Sequence, residues 1–173
     1  MPGDTAAVAV PLASARAGAS RLEELRAAVQ HASSLEDRIV GIRAMGSFDD
    51  PSVLSTALDL GLGDELKLSE LHHLFGPAGN RRAGRTTLYA WEKKNWAKIR
   101  ARLPGSYGYG TFVGVAGSMC TPAERADALA FLVPAIEGLE GVKRSLDEAV
   151  ESADLCVALS QRAGEVSKYF GRK

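Results

Sequence analysis

Residues 83–104 read AGRTTLYAWEKKNWAKIRARLP, and how this stretch is taken decides the fold. Its start completes GNRRAGRT, residues 79–86, which nearly matches a phosphate-binding loop. Gly79, Gly84 and Thr86 stand in register with G-x-x-x-x-G-K-[ST], and Arg85 holds the lysine position. Such a loop leaves a buried parallel strand and opens onto a helix whose N-terminal amides face the phosphates. The preceding residues, LSELHHLFGPA, contain no β-branched run, so the strand is missing. On the other side, Arg85 to Leu103 reads as a helix. Leu88, Trp91, Trp96 and Ile99 form its apolar side, and Pro104-Gly105 stops it. The spacing therefore predicts an inter-helix turn with solvated arginines, and nucleotide binding through GNRRAGRT is the weakest of the functions considered.

The same helical text extends in both directions. Leu22, Leu25, Ala28 and Val29 share a face, Ser33 or Ser34 can cap a helix over Asp37 to Met45, and Gly46-Ser47 ends it. Asp49-Asp50-Pro51 supplies an N-cap and a first-turn proline for a helix carrying Val53, Leu54, Ala57 and Leu58, closed by Gly61 and Gly63. A short helix is expected from Ser69 to Phe75, stopped by Gly76-Pro77. Thr121-Pro122-Ala123-Glu124 is a capping box. Gly138 and Gly141 flank a turn, after which a helix over Val142 to Val150 and a last one from Leu155 to Phe170 are expected. The fold class implied is all-α, with antiparallel helix pairs stacked into an irregular superhelix without a fixed repeat length.

Composition agrees with that class. A chain of 173 residues has the length of one domain, and 46% hydrophobic residues with only 6% aromatic ones favour helices over a β-sandwich. Twenty-one basic residues balance 21 acidic ones, which gives no general charge for nucleic acid or a membrane surface. Residues 1–20, MPGDTAAVAVPLASARAGAS, lack the basic region of a signal peptide and carry Pro11 inside the apolar run. They read as a flexible linker, a boundary segment or a truncated helix ahead of a helical domain at 21–173, and a cytoplasmic location is expected. No stretch has the length of a membrane-spanning helix.

Other motifs weigh little. Gly108, Gly110 and Gly114 miss the register of a dinucleotide or kinase loop, and 105–117 reads as a loose turn into a short Gly- and Ala-rich helix packed closely on its neighbours. His72 and His73 point about 100° apart on a helix and have no carboxylate at metal spacing, so no metal is expected. Cys120 and Cys156 have no histidine beside them and read as small thiols filling helix interfaces in a reducing compartment, although a disulfide is the other option. Basic residues concentrate in Arg81, Arg82, Arg85, Lys93, Lys94, Lys98, Arg100 and Arg102, mostly a solvated face. An arginine aimed into a groove could hold a carboxylate through its fixed donor fork.

Gly84-Arg85 followed by Trp91 and Asn95-Trp96 resembles a segment in the C-terminal helical domain of the aminopeptidase N and puromycin-sensitive aminopeptidase family. EDRIVGIRAMGSFDDPSVLSTALDLGLGDELK, GSMCTPAERADALAFL and LEGVKRSLDEAVESADLCVALSQRAGEVSKYF resemble further elements of that domain in the same order. The resemblance covers most of 21–170. It implies a bowl of HEAT- or armadillo-like helix pairs that closes over a zinc-bearing catalytic domain and shapes the chamber for peptides. H-E-x-x-H and G-x-M-E-N, which the family's catalytic part carries, are absent from this chain. The resemblance therefore implies a non-catalytic piece with no cofactor of its own, a catalytic domain and peptides as partners, and zinc in the parent enzyme. It also implies a chain shorter than the family's helical domain, with an N-terminal end on which another helix pair would pack. Gly84, Trp91, Asn95 and Trp96 are its structural motif. Arg85 first, then Arg81 and Arg82, are the candidates to face the chamber; the competing role for Arg85 is to hydrogen-bond carbonyls of the preceding turn. A free-standing helical interaction module is the alternative.

Overall fold

The computed structural model describes residues 3–171 and contains, among them, nine α-helices and no strand. The chain divides into two compact units at Pro104 and Gly105.

The first unit holds α1 (Gly3–Ser14), α2 (Ala19–Gln30), α3 (Leu35–Met45), α4 (Pro51–Leu60), α5 (Leu71–Asn80) and α6 (Arg82–Arg102), with a 3-10 turn at Leu68–Glu70. Packing joins α2 to α3 and α5 to α6, and also α1 to α3, α3 to α5 and α4 to α6. Contacts between neighbours and between every second helix are the pattern of stacked helix pairs. The expected caps are present. Ser34 accepts from the Asp37 amide, and Asp50 accepts from the Ser52 and Val53 amides with Pro51 at the first helical position. Ile42, Ala44, Met45, Phe48, Leu54, Ala57, Leu58, Leu74 and Leu88 are essentially inaccessible to solvent. Burying each larger side chain contributes about 1.5–3 kcal/mol before the entropy of ordering it is subtracted.

Three expectations are decided in this unit. Of the linker, boundary segment and truncated helix open for the N-terminal stretch, residues 3–14 take the helix. Twelve residues containing a proline are marginal alone, and packing of α1 on α3, with Ser14 and Ala15 buried, supplies what propensity lacks. Helix α5 runs through Gly76-Pro77 to Asn80 instead of stopping at Phe75. Proline usually forbids helix at the residue before it by clashing with that residue's Cβ, and glycine has none. Burial of Ala78 then rewards continuation. Lastly, α6 starts at Arg82, so GNRRAGRT is no loop: its first two residues end α5, Arg81 alone joins the helices, and Gly84 lies in the first turn of α6.

The second unit holds α7 (Tyr109–Gly114), α8 (Pro122–Ala135) and α9 (Val142–Phe170), with a 3-10 turn at Val115–Ser118 between the first two. In its Gly-rich entry Gly117 is tightly packed, since a Cβ there would sit 3.2 Å from Ser152 Cβ and 3.3 Å from the Ala149 carbonyl oxygen, whereas Gly105 and Gly114 face open space. The Thr121–Glu124 capping box forms, and Gly138 and Gly141 adopt φ of 79° on either side of the α8–α9 turn. Where two final helices were expected, α9 is continuous over 29 residues. Nothing between Val150 and Leu155 is a glycine or proline, and Ala153 is buried where a break was expected. The cysteines are also corrected: Cys120 and Cys156 form a disulfide. Their Cα atoms lie 4.9 Å apart, a separation a disulfide spans. This proximity arises from packing of the 3-10 turn on α9, which a spacing of 36 residues does not reveal.

Candidate functional site

The motif residues of α6 converge on one structural junction. Gly84 permits a close approach to α5, since a Cβ there would lie 2.5 Å from the Ala78 carbonyl oxygen. About two turns later, Trp91 is buried with its ring 5.6 Å from Phe75 of α5, and its indole N–H donates to Asp59 Oδ1 of α4 at 2.8 Å. Asn95, also buried, donates from Nδ2 to the Trp91 carbonyl at 3.0 Å, fixing its amide along the helix. Trp96 is half-buried on the same helix. A buried indole needs a partner for its N–H, and Asp59 fills that need across the helix pair.

Beside this junction, α4 and α6 border a groove of about 930 Å³. Small side chains, Ser55 from α4 and Ala83, Thr86 and Ala90 from α6, leave the space between the helices open. Trp91 and Asn95 reach it from the core side, and Lys94 and Lys98, both exposed and one helical turn apart, stand on its rim. Asp59 is its one acidic lining residue among those described, and that carboxylate already accepts the indole N–H. The groove therefore combines an apolar floor with a cationic edge, chemistry suited to a chain segment bearing a carboxylate.

The arginines named from sequence lie elsewhere. Arg81 donates from Nη2 to Asp49 Oδ1 at 2.6 Å, tying the α5–α6 joint to the turn before α4. Arg82 is exposed at the start of α6. Arg85 is half-buried, and its amide closes the first turn onto the Arg81 carbonyl at 2.9 Å. None of the three lines the groove. Lys94 and Lys98 fall in the basic series read as a solvated face; their i, i+4 spacing beside Trp91 and Asn95 was the available signal.

Glu92 is the residue that sequence reasoning missed. It is fully buried, and neither carboxylate oxygen has a hydrogen-bond partner among the described residues. Its spacing gave the signal: Glu92 lies four residues after Leu88 and seven before Ile99, both buried. Burial raises its pKa well above the ordinary carboxylate value, because the charged form loses its hydration. The folded state thus binds a proton that the unfolded chain releases near pH 4.5. Stability is fully present below that pH and declines as pH rises toward the raised value. Glu92→Gln is expected to melt a few degrees higher than the parent at pH 7 and at the same temperature at pH 4. Thermal melts from pH 4 to 8 test this, and parallel pH profiles for the two chains would refute it.

His72 and His73 are in ring contact, 3.7 Å between centroids. Desolvation foremost lowers the His73 pKa, and its Nδ1 accepts from Arg43 Nε at 3.4 Å. No group of three or more His, Cys, Asp or Glu side chains is placed to hold a metal among the described residues. Likewise, no described helix is long and apolar enough to cross a membrane.

Comparison with known proteins places this geometry in a family. Residues 1–155 match the family model of the ERAP1-like C-terminal domain. The chain is also 38% identical over 78 residues to aminopeptidase N of Lactococcus lactis subsp. cremoris, with the same identity and span for its strain MG1363 and for L. lactis subsp. lactis strain IL1403. The alignment covers 43% of this chain and 9% of each relative.

Proposed function

We propose that this chain, which belongs to the ERAP1-like C-terminal domain family, is the non-catalytic helical domain of a zinc aminopeptidase, docking on a catalytic domain and enclosing the chamber that admits peptides. The observation that carries the reading is the family match over residues 1–155 in a chain whose sequence has no H-E-x-x-H. The name of its relatives, aminopeptidase N, supports the same assignment. Zinc in this reading is held by the catalytic domain, where it would activate the water that attacks the peptide bond. This chain contributes no ligand to it and acts by binding and exclusion.

Within that role, the α4–α6 groove is the place where a peptide rests. Lys94 and Lys98 receive its carboxylate, while the Trp91 face and the small side chains of α6 accommodate its backbone. Arg81, held by Asp49, organises the joint, and Arg85 and Arg82, which lie outside the groove, are further candidates to face the chamber.

The test is a peptidase assay on the isolated chain and on the polypeptide translated from the whole reading frame that contains it. The whole protein is expected to release N-terminal residues and the isolated chain none. In the whole protein, Lys94→Glu with Lys98→Glu should raise KM for peptides about fivefold or more, the weight of one or two exposed carboxylate contacts. Hydrolysis by the isolated chain, or a reading frame without H-E-x-x-H, would sink the assignment; the second outcome would leave a free-standing interaction module.

A further inference from the structure

Helix α9 carries a surface that the function above does not use. Its buried residues, Val142, Leu146, Ala149 and Ala153, all lie on the side packed toward α7 and the 3-10 turn after it. By helical geometry Leu155 projects from roughly the opposite side and Leu159 from the flank beside it, and they are 67% and 66% exposed. These leucines stand on a fastened helix. On the inner side of the same turns Cys156 is bonded to Cys120, and Ser160 Oγ donates to the Cys120 carbonyl at 3.0 Å.

Along the outer side the exposed residues Glu148, Glu151, Leu155, Leu159 and Arg162 follow one another at intervals of three and four. That is the spacing of a coiled-coil seam, with Glu151 before the leucine pair and Arg162 after it; Glu148, one turn further out, is held by Arg144 of its own helix at 3.0 Å. We propose that this seam pairs with the same seam of a second copy of the chain, antiparallel and centred between the two leucines. In that arrangement Leu155 of each copy meets Leu159 of the other, and Arg162 of each lies over Glu151 of the other. An isologous contact requires a self-complementary surface, and this order of charge is self-complementary only when the helices run antiparallel. Four leucines make a small interface, which suits a reversible dimer half-formed at about tens of micromolar.

Sedimentation of the 173-residue chain from about 1 to 500 µM tests the pairing. The mass is expected to rise from one copy toward two. Leu155→Glu with Leu159→Glu should hold it at one copy throughout, with helix content and melting temperature unchanged because both side chains are exposed. Arg162→Glu should weaken association about tenfold or more, and adding Glu151→Arg in the same chain should restore it. A one-copy mass at the highest concentration overturns the proposal, including the case in which the leucines cover a different protein. A dimer that survives the leucine substitutions, or a charge reversal without rescue, overturns it equally.

Discussion

Gly46→Ala is expected to lower the stability of the first unit by about 3 kcal/mol or more and its melting temperature by roughly 12–24 °C. Gly46 caps α3 with ordinary backbone angles, φ −78°, so conformational freedom is not what the position demands. Space is what it demands. A methyl there would overlap the Leu74 carbonyl oxygen and sit 3.0 Å from its carbonyl carbon. That carbonyl belongs to the backbone of α5, which cannot yield as a flexible side chain would, so α3 and α5 must move apart. Leu74, Ala44 and Met45, all at or near zero exposure, would lose their contacts together. Gly84→Ala repeats the clash less severely against the Ala78 carbonyl at 2.5 Å, and should cost less. Thermal melts followed by circular dichroism decide the matter. A Gly46→Ala chain melting with the parent would show that α3 and α5 approach less closely at this point.

Arg38→Ala is expected to cost about 3–5 kcal/mol, because it strands a buried carboxylate. Arg38 grips Glu70 with two bonds, Nε to Oε1 at 2.7 Å and Nη2 to Oε2 at 3.0 Å. It also donates to the Val29 carbonyl at 2.8 Å and the Glu65 carbonyl at 3.0 Å. Glu70 is 3% exposed and accepts from the Lys67 amide at 2.8 Å, so one pair ties α2, α3 and the turn before α5 together. Hydrogen bonding from Arg38, followed by the Lys67 amide and charge, holds the Glu70 pKa below its ordinary value despite burial. Its contribution is therefore present above about pH 4.5 and is lost as pH falls through the depressed folded value. Urea unfolding at pH 7 and pH 3 measures both effects. The parent should lose stability in acid through this pair, and Arg38→Ala should lose less. Equal midpoints for the two chains at pH 7 would exclude a structural role for the pair.

Glu70 and Glu92, whose pKa values are displaced in opposite directions, differ in legibility for a physical reason. Glu70 and Glu92 look alike as letters, each beside a leucine- or tryptophan-bearing turn. The paired acid is recognised only with its partner, which lies 32 residues away. The unpaired one is recognisable from its place in the α6 register, once apolar periodicity is allowed to overrule the charge of the EKK run. Trp91 and Asn95 were legible as structural residues. That Trp91 would find Asp59, and that the groove would open next to Lys94 rather than Arg85, depends on how α4 and α6 cross.

What the sequence determined by itself was local: an all-α chain, the caps at Ser34, Asp50 and Thr121, and a helix through Leu88, Trp91 and Ile99, because capping and helical periodicity act within a few residues. The tertiary structure decided the rest. It carried α5 through Pro77, made a helix of residues 3–14, joined Cys120 to Cys156, divided the chain at Pro104 and chose which cations face the groove. Each of those outcomes rests on burial or contact between residues distant in the chain, and neither propensity nor spacing contains that information.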